Sequence, residues 1–234
     1  MTDTGLKRDM AILVAGGPLP PAEASLLRTT LAQHPHALVI GVDGGARHLL
    51  RIETVPDVVT GDFDSLSSAE RESLAAQGAE IVPTPDQDYT DLDKALMYIR
   101  DSRDANRILV FAATGGRLDH TYSVLSTLIK YGASLDVRLL DAVGETWCVP
   151  DTATLTGSDL PGRTLSLMAF GPVTGITTTG VRWPLTNESL EPGVRDGTLN
   201  EITEETVTIK VGAGNLVVQL HHAAPCYTET DAEA

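Results

Sequence analysis

The sequence predicts an α/β fold. We expect an N-terminal, mostly parallel, Rossmann-like sheet with flanking helices, followed by a small all-β domain of a sandwich or roll type. Apolar runs alternate with helical patterns through the first part of the chain, which is typical of a parallel sheet covered by helices. After about Gly144 the helical periodicity stops, threonine, glycine and proline become frequent, and short alternating runs begin. We therefore predict two domains, residues 1–144 and 145–234.

The predicted strands are short apolar runs that end at glycine, aspartate or threonine. In the first domain they are residues 10–15, 37–42, 57–60, 80–82, 107–112 and 135–141. In the second domain, alternating runs predict strands at residues 164–170, 173–178, 206–211 and 215–220.

Helical spacing of apolar residues predicts helices at residues 21–33, 46–51, 69–77, 90–100 and 122–131. Ser67 and Glu70 have the spacing of a capping box at the start of the third helix. The fourth helix carries its core stripe on Leu92, Ala95, Leu96 and Ile99, which leaves Asp91 and Lys94 off the core face.

Composition narrows the classes of partner. The formal net charge of −15 argues against nucleic acid or an anionic membrane as a partner. It does not argue against a nucleotide, because a bound metal ion reverses the local sign. No apolar run approaches the length of a membrane span, and no signal peptide is recognisable. The two cysteines, Cys148 and Cys226, lie far apart in the sequence, so a reducing cytoplasm is the expected location.

Two acidic turns, residues 60–65 and 84–94, dominate the predicted site. Asp62 and Asp64 are two residues apart, so they point the same way on an extended segment. Asp88 and Asp91 are three apart, so they share a face at a helix start. Carboxylates without cysteine or histidine partners suit Mg²⁺. We predict a magnesium-dependent, phosphate-transferring site with Asp62, Asp64 and Asp91 as metal ligands and Asp88 as the next candidate.

Structural roles are the alternative for each of these acids taken singly. Asp64 or Ser65 could end a strand, Asp86 could cap its turn, and Thr90 could cap the helix that follows. Capping explains a single acid in a turn, but it does not easily explain so many acids in two turns. Their number therefore favours the magnesium site.

Five polar or glycine-rich turns follow predicted strands and therefore belong at the carboxyl edge of the sheet, where open α/β folds bind ligands. They contain Gly16-Gly17, Asp43-Gly44-Gly45, Asp62 and Asp64, Asp86–Asp91, and Gly115-Gly116-Arg117-Leu118-Asp119.

Two of these turns also suit phosphate binding: Gly115-Gly116-Arg117 and Asp43-Gly44-Gly45. Gly115, Gly116 and Arg117 offer backbone N–H groups and a guanidinium, although a surface turn is an equally ordinary interpretation. His120 could be a general base, with a capping or surface role favoured. Neither a Walker-A loop nor a dinucleotide GxGxxG is present in the sequence. Trp183, beside Pro184, suits either stacking on a ligand ring or a place in the small core.

Taken together, these motifs resemble the thiamine pyrophosphokinase family. The matching segments are Asp43-Gly44-Gly45-Ala46, Gly61-Asp62-Phe63-Asp64-Ser65, Thr84-Pro85-Asp86-Gln87-Asp88-Tyr89-Thr90-Asp91, Gly115-Gly116-Arg117-Leu118-Asp119-His120 and the stretch from Thr177 to Leu185 that contains Trp183. They span most of the chain in the family's order and spacing.

The resemblance implies transfer of a pyrophosphoryl group from ATP to the hydroxyl of thiamine, with release of AMP. It implies Mg²⁺ on Asp62, Asp64 and Asp91, a catalytic place for Asp88 and Asp119, and nucleotide contacts from Asp43-Gly44-Gly45 and Gly115-Gly116-Arg117. Gln87, Trp183 and Asn200 would contact thiamine. The expected assembly is a homodimer with active sites at the subunit interface, to which the β domain contributes.

One residue departs from the family pattern, and it concerns the acceptor. Leu199 stands where a substrate-contacting serine is expected, while Asn200 is retained and Thr198 could compensate. Three alternatives stay open: a diphosphokinase acting on a pterin-like alcohol, a catalytically idle thiamine or nucleotide sensor, and a metal-dependent phosphohydrolase.

Overall fold

Five parallel strands form the sheet of the N-terminal part in a computed structural model, which describes residues 8–102 and 105–223. They are β1 (Met10–Val14), β2 (Leu38–Val42), β3 (Val58–Gly61), β4 (Glu80–Pro83) and β5 (Arg107–Phe111). Their order in the sheet is β4-β3-β2-β1-β5, with every neighbouring pair parallel. Because β1 has a neighbouring strand on each side, its residues from Ala11 to Val14 are fully buried. The predicted parallel sheet of an α/β protein is confirmed.

Five helices accompany this sheet. They are α1 (Pro21–Gln33), α2 (Gly45–Arg51), α3 (Ser68–Ala76), α4 (Asp91–Ser102) and α5 (Leu118–Tyr131). Four of them begin within one residue of their predicted start, whereas α5 begins at Leu118, earlier than predicted. Its first turn already forms because the Thr121 N–H donates to the Arg117 carbonyl at 3.1 Å.

Side-chain caps fix the starts of α3 and α4. Ser67 and Glu70 form the predicted capping box, in which each side chain accepts a hydrogen bond from the other residue's N–H. The Thr90 hydroxyl accepts the Asp93 N–H at 3.2 Å, as its predicted capping role requires.

Lys94 corrects the prediction for α4. The predicted stripe of Leu92, Ala95, Leu96 and Ile99 is buried, but Lys94, which was expected off the core face, is only 6% exposed. Its ammonium group finds oxygen partners in the turn before the helix, so the residue is buried together with its charge.

Eight strands follow α5 between Asp136 and His221. They are β6 (Asp136–Leu140), β7 (Gly144–Val149), β8 (Thr152–Thr156), β9 (Thr164–Thr179), β10 (Glu188–Leu190), β11 (Gly197–Glu201), β12 (Thr206–Lys210) and β13 (Ala213–His221). The order is β6-β7-β13-β9-β12-β8, with antiparallel pairing, and β10 and β11 also pair with β9. The core among these strands includes Ile176, Ile202, Val207, Ile209 and Leu216.

The prediction of separate strands at residues 164–170 and 173–178 is wrong. Both belong to the single strand β9, because β13 pairs with it on both sides of Gly171-Pro172: Asn215 lies opposite Phe170, and Ala213 opposite Thr174. The irregularity that the sequence suggests is absorbed as a shift in register.

The chain divides into two compact units, Met1–Thr127 and Leu128–Ala234, so β6 lies in the second unit. The functional division at residue 144 stays a prediction.

Burial raises the pKa of the half-buried Cys148 thiol, while Cys226 lies outside the described residues. Of the helices in residues 8–102 and 105–223, none combines the length and hydropathy that crossing a bilayer requires.

Candidate active site

A cavity of about 550 Å³ lies in the first unit, beside the carboxyl ends of its strands. Each of the five turns predicted to meet at this edge contributes to its lining. The contributors include Gly16, Gly17, Asp43, Asp64, Asp91, Gly116, Arg117 and His120. A cavity of this volume is large enough for a nucleotide-like ligand.

Three carboxylates meet beside this cavity. Asp43, Asp62 and Asp64 each offer an oxygen atom, and these atoms all lie within 4.8 Å of one another. Asp62 and Asp64 are exposed, whereas Asp43 is only 8% exposed. The sequence places Asp43 with the nucleotide-binding turns, and the structure brings it into the acidic cluster.

Asp43 is held in an unusual conformation at the end of β2. Its φ is +45°, and its N–H donates to the Thr60 carbonyl of β3 at 2.7 Å. Its Oδ1 atom is buried without a hydrogen-bond partner. Burial raises the pKa of Asp43, and the nearby charges of Asp64 and Asp91 raise it further. The hydrogen bond with Ser65 acts in the opposite direction and lowers it. A carboxylate oxygen that is buried, unpartnered and close to other acids suits cation binding.

Phe63 orients the two acids of the first turn. Its side chain is buried in a cluster with Val59, Leu66 and Leu74. Its φ of +63° marks a sharp bend of the backbone. With Phe63 anchored inward, Asp62 and Asp64 on either side are left exposed.

Neutral donors hold Asp62 in place. Its Oδ1 accepts the Asp64 N–H at 3.3 Å, and its Oδ2 accepts the Gln87 amide at 3.4 Å. These hydrogen bonds lower the pKa of Asp62, so it stays ionised. Gln87 thus joins the second acidic turn to the first.

The predicted acids of the second turn have different surroundings. Asp86 accepts the Asp88 N–H at 2.8 Å, so it caps the turn as the structural alternative proposed. The Asp88 side chain is exposed. Asp91 lines the cavity, and its Oδ1 lies 2.8 Å from Lys94 Nζ in an ion pair that is not aligned as a hydrogen bond.

Lys94 is the charged residue that the sequence reasoning missed. A helical (i, i+3) spacing from Asp91 was the available signal, since such pairs lie on one face. The apolar stripe of α4 had indicated instead that Lys94 lies off the core face.

Close backbone packing brings the glycine turn after β2 to the end of β1. A Cβ atom on Gly45 would lie 1.8 Å from the Val14 carbonyl oxygen, so no larger residue fits. The His48 Nε2 lies 2.8 Å from the Gly17 carbonyl. Both contacts hold Gly16 and Gly17 against the start of α2, with Gly44 as the residue before that helix.

Arg117 and Asp119 are paired with each other at the start of α5. Arg117 donates to both Asp119 oxygens, at 3.0 and 2.5 Å. This pairing lowers the pKa of Asp119. Arg117, Gly116 and His120 line the cavity, and Gly115 has a φ of +83° in the turn before them.

In the second unit, Asn200 holds Trp183 by its backbone. Its Nδ2 donates to the Trp183 carbonyl at 2.8 Å, and its Oδ1 accepts the Trp183 N–H at 3.2 Å. Trp183 is 59% exposed, so the core interpretation of this residue is wrong. Arg182 lies 5.4 Å from the ring centroid. Leu199, in the left-handed region at φ +60°, is also exposed.

Two family models match this chain. Residues 30–139 match the model described as thiamin pyrophosphokinase, catalytic domain, and residues 152–216 match the model described as thiamin pyrophosphokinase, vitamin B1 binding domain. A curated thiamine pyrophosphokinase of Bacillus subtilis (strain 168) is 30% identical over 209 residues, which cover 88% of this chain and 95% of the relative. The chain belongs to the thiamine pyrophosphokinase family.

Other members of the thiamine pyrophosphokinase family agree with this assignment. Thiamine pyrophosphokinase 1 of Oryza sativa subsp. japonica is 35% identical over 68% of this chain, and the match spans 64% of that longer relative. The crystal structure of the Bacillus subtilis thiamine pyrophosphokinase has a TM-score of 0.76 at 29% identity, with 91% of this chain and 98% of that chain covered. The thiamin pyrophosphokinase of Geobacillus thermodenitrificans gives 0.77 at 28% identity, with 93% and 100% covered. The predicted family is confirmed.

Proposed function

We propose that this chain is an ATP-dependent thiamine diphosphokinase, which transfers the pyrophosphoryl group of ATP to the hydroxyl of thiamine and releases AMP. The family assignment supports the reaction and the enzyme class. The observation that carries the chemistry is the convergence of Asp43, Asp62 and Asp64 beside a cavity that Arg117 also lines.

Magnesium fits this cluster. The donors are hard carboxylate oxygens, and the buried Asp43 Oδ1 lacks a hydrogen-bond partner. We propose Asp62, Asp64 and Asp91 as ligands, with Asp43 added from the geometry. When bound there, Mg²⁺ would neutralise phosphate oxygens and help to orient them.

The residues of the chain supply positioning. The thiamine hydroxyl attacks the β-phosphorus of ATP and releases its proton, the new P–O bond forms as the bond from the β-phosphorus to the bridging α-phosphate oxygen breaks, and AMP leaves with that oxygen. Such a transfer depends mainly on placement and charge neutralisation. We assign Gly44, Gly45, Gly115, Gly116 and Arg117 to the phosphates.

Acidic side chains and the second unit complete the proposed roles. Asp88 and Asp119 are the remaining candidate acids, and Asp119 acts at least by orienting Arg117, to which it is paired. Gln87 and Trp183 are proposed to contact thiamine, with stacking on the Trp183 ring. Asn200 supports that ring through the Trp183 backbone.

The finer architecture also belongs to this proposal. The first 144 residues serve as a Rossmann-like catalytic domain, and residues 145–234 form a sandwich or roll that contributes to thiamine binding and dimer contacts. The working assembly is a cytoplasmic homodimer with active sites at the subunit interface.

Product analysis with ATP, Mg²⁺ and thiamine tests the function. We expect AMP and thiamine diphosphate in equal amounts, and a folded Asp62→Asn variant is expected to lose at least about 100-fold in rate. AMP formed only with a pterin-like alcohol would move the acceptor, and release of inorganic phosphate would indicate a hydrolase. Tight binding of thiamine or ATP without turnover would indicate a sensor.

A further inference from the structure

Lys94 is a buried lysine whose ammonium group is surrounded by oxygen atoms. The residue is 6% exposed. Its Nζ donates to the Thr84 carbonyl at 2.9 Å and to the Asp86 carbonyl at 3.0 Å, and it lies 2.8 Å from Asp91 Oδ1. Two of its three N–H donors are therefore used in hydrogen bonds to backbone carbonyls, and Asp91 Oδ1 is held as an ion pair. A buried charge needs such partners, so the ammonium fixes where the oxygens lie.

All three oxygens belong to the second acidic turn or its first helical residue. The same turn is joined to the first acidic turn by two further contacts. The Thr84 N–H donates to the Gly61 carbonyl at 2.8 Å, and the Gln87 amide donates to Asp62 at 3.4 Å. Lys94 therefore contacts the turn that places Gln87 next to Asp62 and places Asp91 at the cavity.

We propose that Lys94 is a positioning residue for the proposed diphosphokinase site: it fastens the turn of residues 84–91 to helix α4 and fixes Asp91 by one oxygen. The other Asp91 oxygen is left for a cation or for water. This inference rests on the proposed function only for its effect on catalysis, since the ordering of the turn does not depend on turnover.

A direct phosphate contact by Lys94 is the competing role. A phosphate-binding lysine presents a free ammonium to its ligand, whereas the Lys94 ammonium is buried and meets three protein oxygens. Side chains that orient metal ligands from behind typically change metal affinity or activity about 10- to 100-fold when removed. We expect an effect of that size.

The test uses Lys94→Met, which keeps the length of the side chain and removes its charge. Lys210→Met is the matched control, because Lys210 is an exposed lysine on β12. Amide hydrogen exchange of residues 84–91 in the metal-free protein is the first measurement. We expect faster exchange in this turn for Lys94→Met and unchanged exchange for Lys210→Met, with both proteins folded by circular dichroism.

Mn²⁺ titration followed by electron paramagnetic resonance, and the Mg²⁺ concentration that half-activates turnover, are the second measurements. We expect Lys94→Met to raise the Kd for Mn²⁺ and the half-activating Mg²⁺ concentration about 10- to 100-fold. A double-mutant cycle with Asp91→Asn is expected to be non-additive, because Lys94 acts through that carboxylate. A purely structural role would lower stability without this coupling.

Several results would overturn the proposal. Wild-type exchange at residues 84–91 in a folded Lys94→Met protein would do so, and so would wild-type metal affinity or strictly additive effects with Asp91→Asn. If Lys94→Met does not fold, Lys94→Gln, which retains an N–H donor without the charge, carries the same test. If the wild-type protein makes no AMP, the proposed function fails, while exchange and Mn²⁺ titration still decide the role of Lys94.

Discussion

Asp43→Asn is expected to stabilise the metal-free protein and to remove its response to magnesium. The Asp43 carboxylate lies within 4.8 Å of those of Asp62 and Asp64. Two like charges at that distance repel by about 0.9 kcal/mol even at the dielectric constant of water. Relief of both repulsions gives about 2 kcal/mol. For a protein of this size, that corresponds to a rise in Tm of about 4–8 °C.

Asparagine is the right replacement because Asp43 has a positive φ of +45°, which asparagine tolerates and most other residues do not. Asparagine also keeps the size of the side chain and one acceptor oxygen, so the main change is the loss of the charge. Asp9→Asn, at an exposed carboxylate near β1, is the matched control and is expected to leave Tm unchanged.

The pH dependence gives the sign of the effect. Burial raises the pKa of Asp43 above its usual 3.8. An acid whose pKa is raised on folding destabilises the protein above that pKa, and the penalty is absent below 3.8. The stability difference between Asp43→Asn and wild type should therefore be complete at pH 7.5 and shrink as the pH falls toward 3.8. Thermal unfolding with EDTA and with Mg²⁺ measures both effects. A metal-free Asp43→Asn protein that is no more stable than wild type at pH 7.5, or one that Mg²⁺ stabilises as strongly as wild type, would refute the reasoning.

Four further substitutions test other parts of the structure. Trp183→Ala is expected to raise the KM for thiamine about tenfold and leave the KM for ATP unchanged, because one stacking contact contributes about 1.4 kcal/mol. Asn200→Ala should raise the KM for thiamine by a smaller factor. An unchanged KM for thiamine in steady-state assays of Trp183→Ala would exclude stacking. Gly45→Ala is expected to prevent folding, since its Cβ would lie 1.8 Å from the Val14 carbonyl oxygen, and a normal circular dichroism spectrum would contradict this packing. Ser67→Ala should lower the free energy of unfolding by about 1 kcal/mol through loss of the α3 cap, with activity retained; urea titration measures it.

Local signals in the sequence were enough for most of the elements in the first unit. The starts of α3 and α4 follow from the hydroxyl caps of Ser67 and Thr90, which act within three residues. The buried strands follow from continuous apolar runs. The β9 strand did not follow, because Gly171-Pro172 is typical of a break and only the pairing partner β13 shows that the strand continues.

The acidic cluster shows the limit of such reasoning at the site. Asp62 and Asp64 could be grouped from their spacing, since they are neighbours on one segment. Asp43 could not, because its place depends on the hydrogen bond from its N–H to Thr60 of the adjacent strand. For Lys94, two of the three oxygen partners are backbone carbonyls, which carry no signature in the sequence, and only its (i, i+3) spacing from Asp91 signals the third.

The two acidic turns differ in how their charge is balanced, and this difference favours a particular position for the metal. In the second turn, Lys94 already lies 2.8 Å from Asp91 Oδ1. In the first turn, Asp62 and Asp64 accept hydrogen bonds from neutral groups: a backbone N–H, the Gln87 amide and the Ser65 hydroxyl. The repulsion that remains is therefore concentrated at Asp43, Asp62 and Asp64. A cation gains most where opposite charge is least compensated, so the first metal ion is expected on this side of the site, with Asp91 contributing one oxygen from the other.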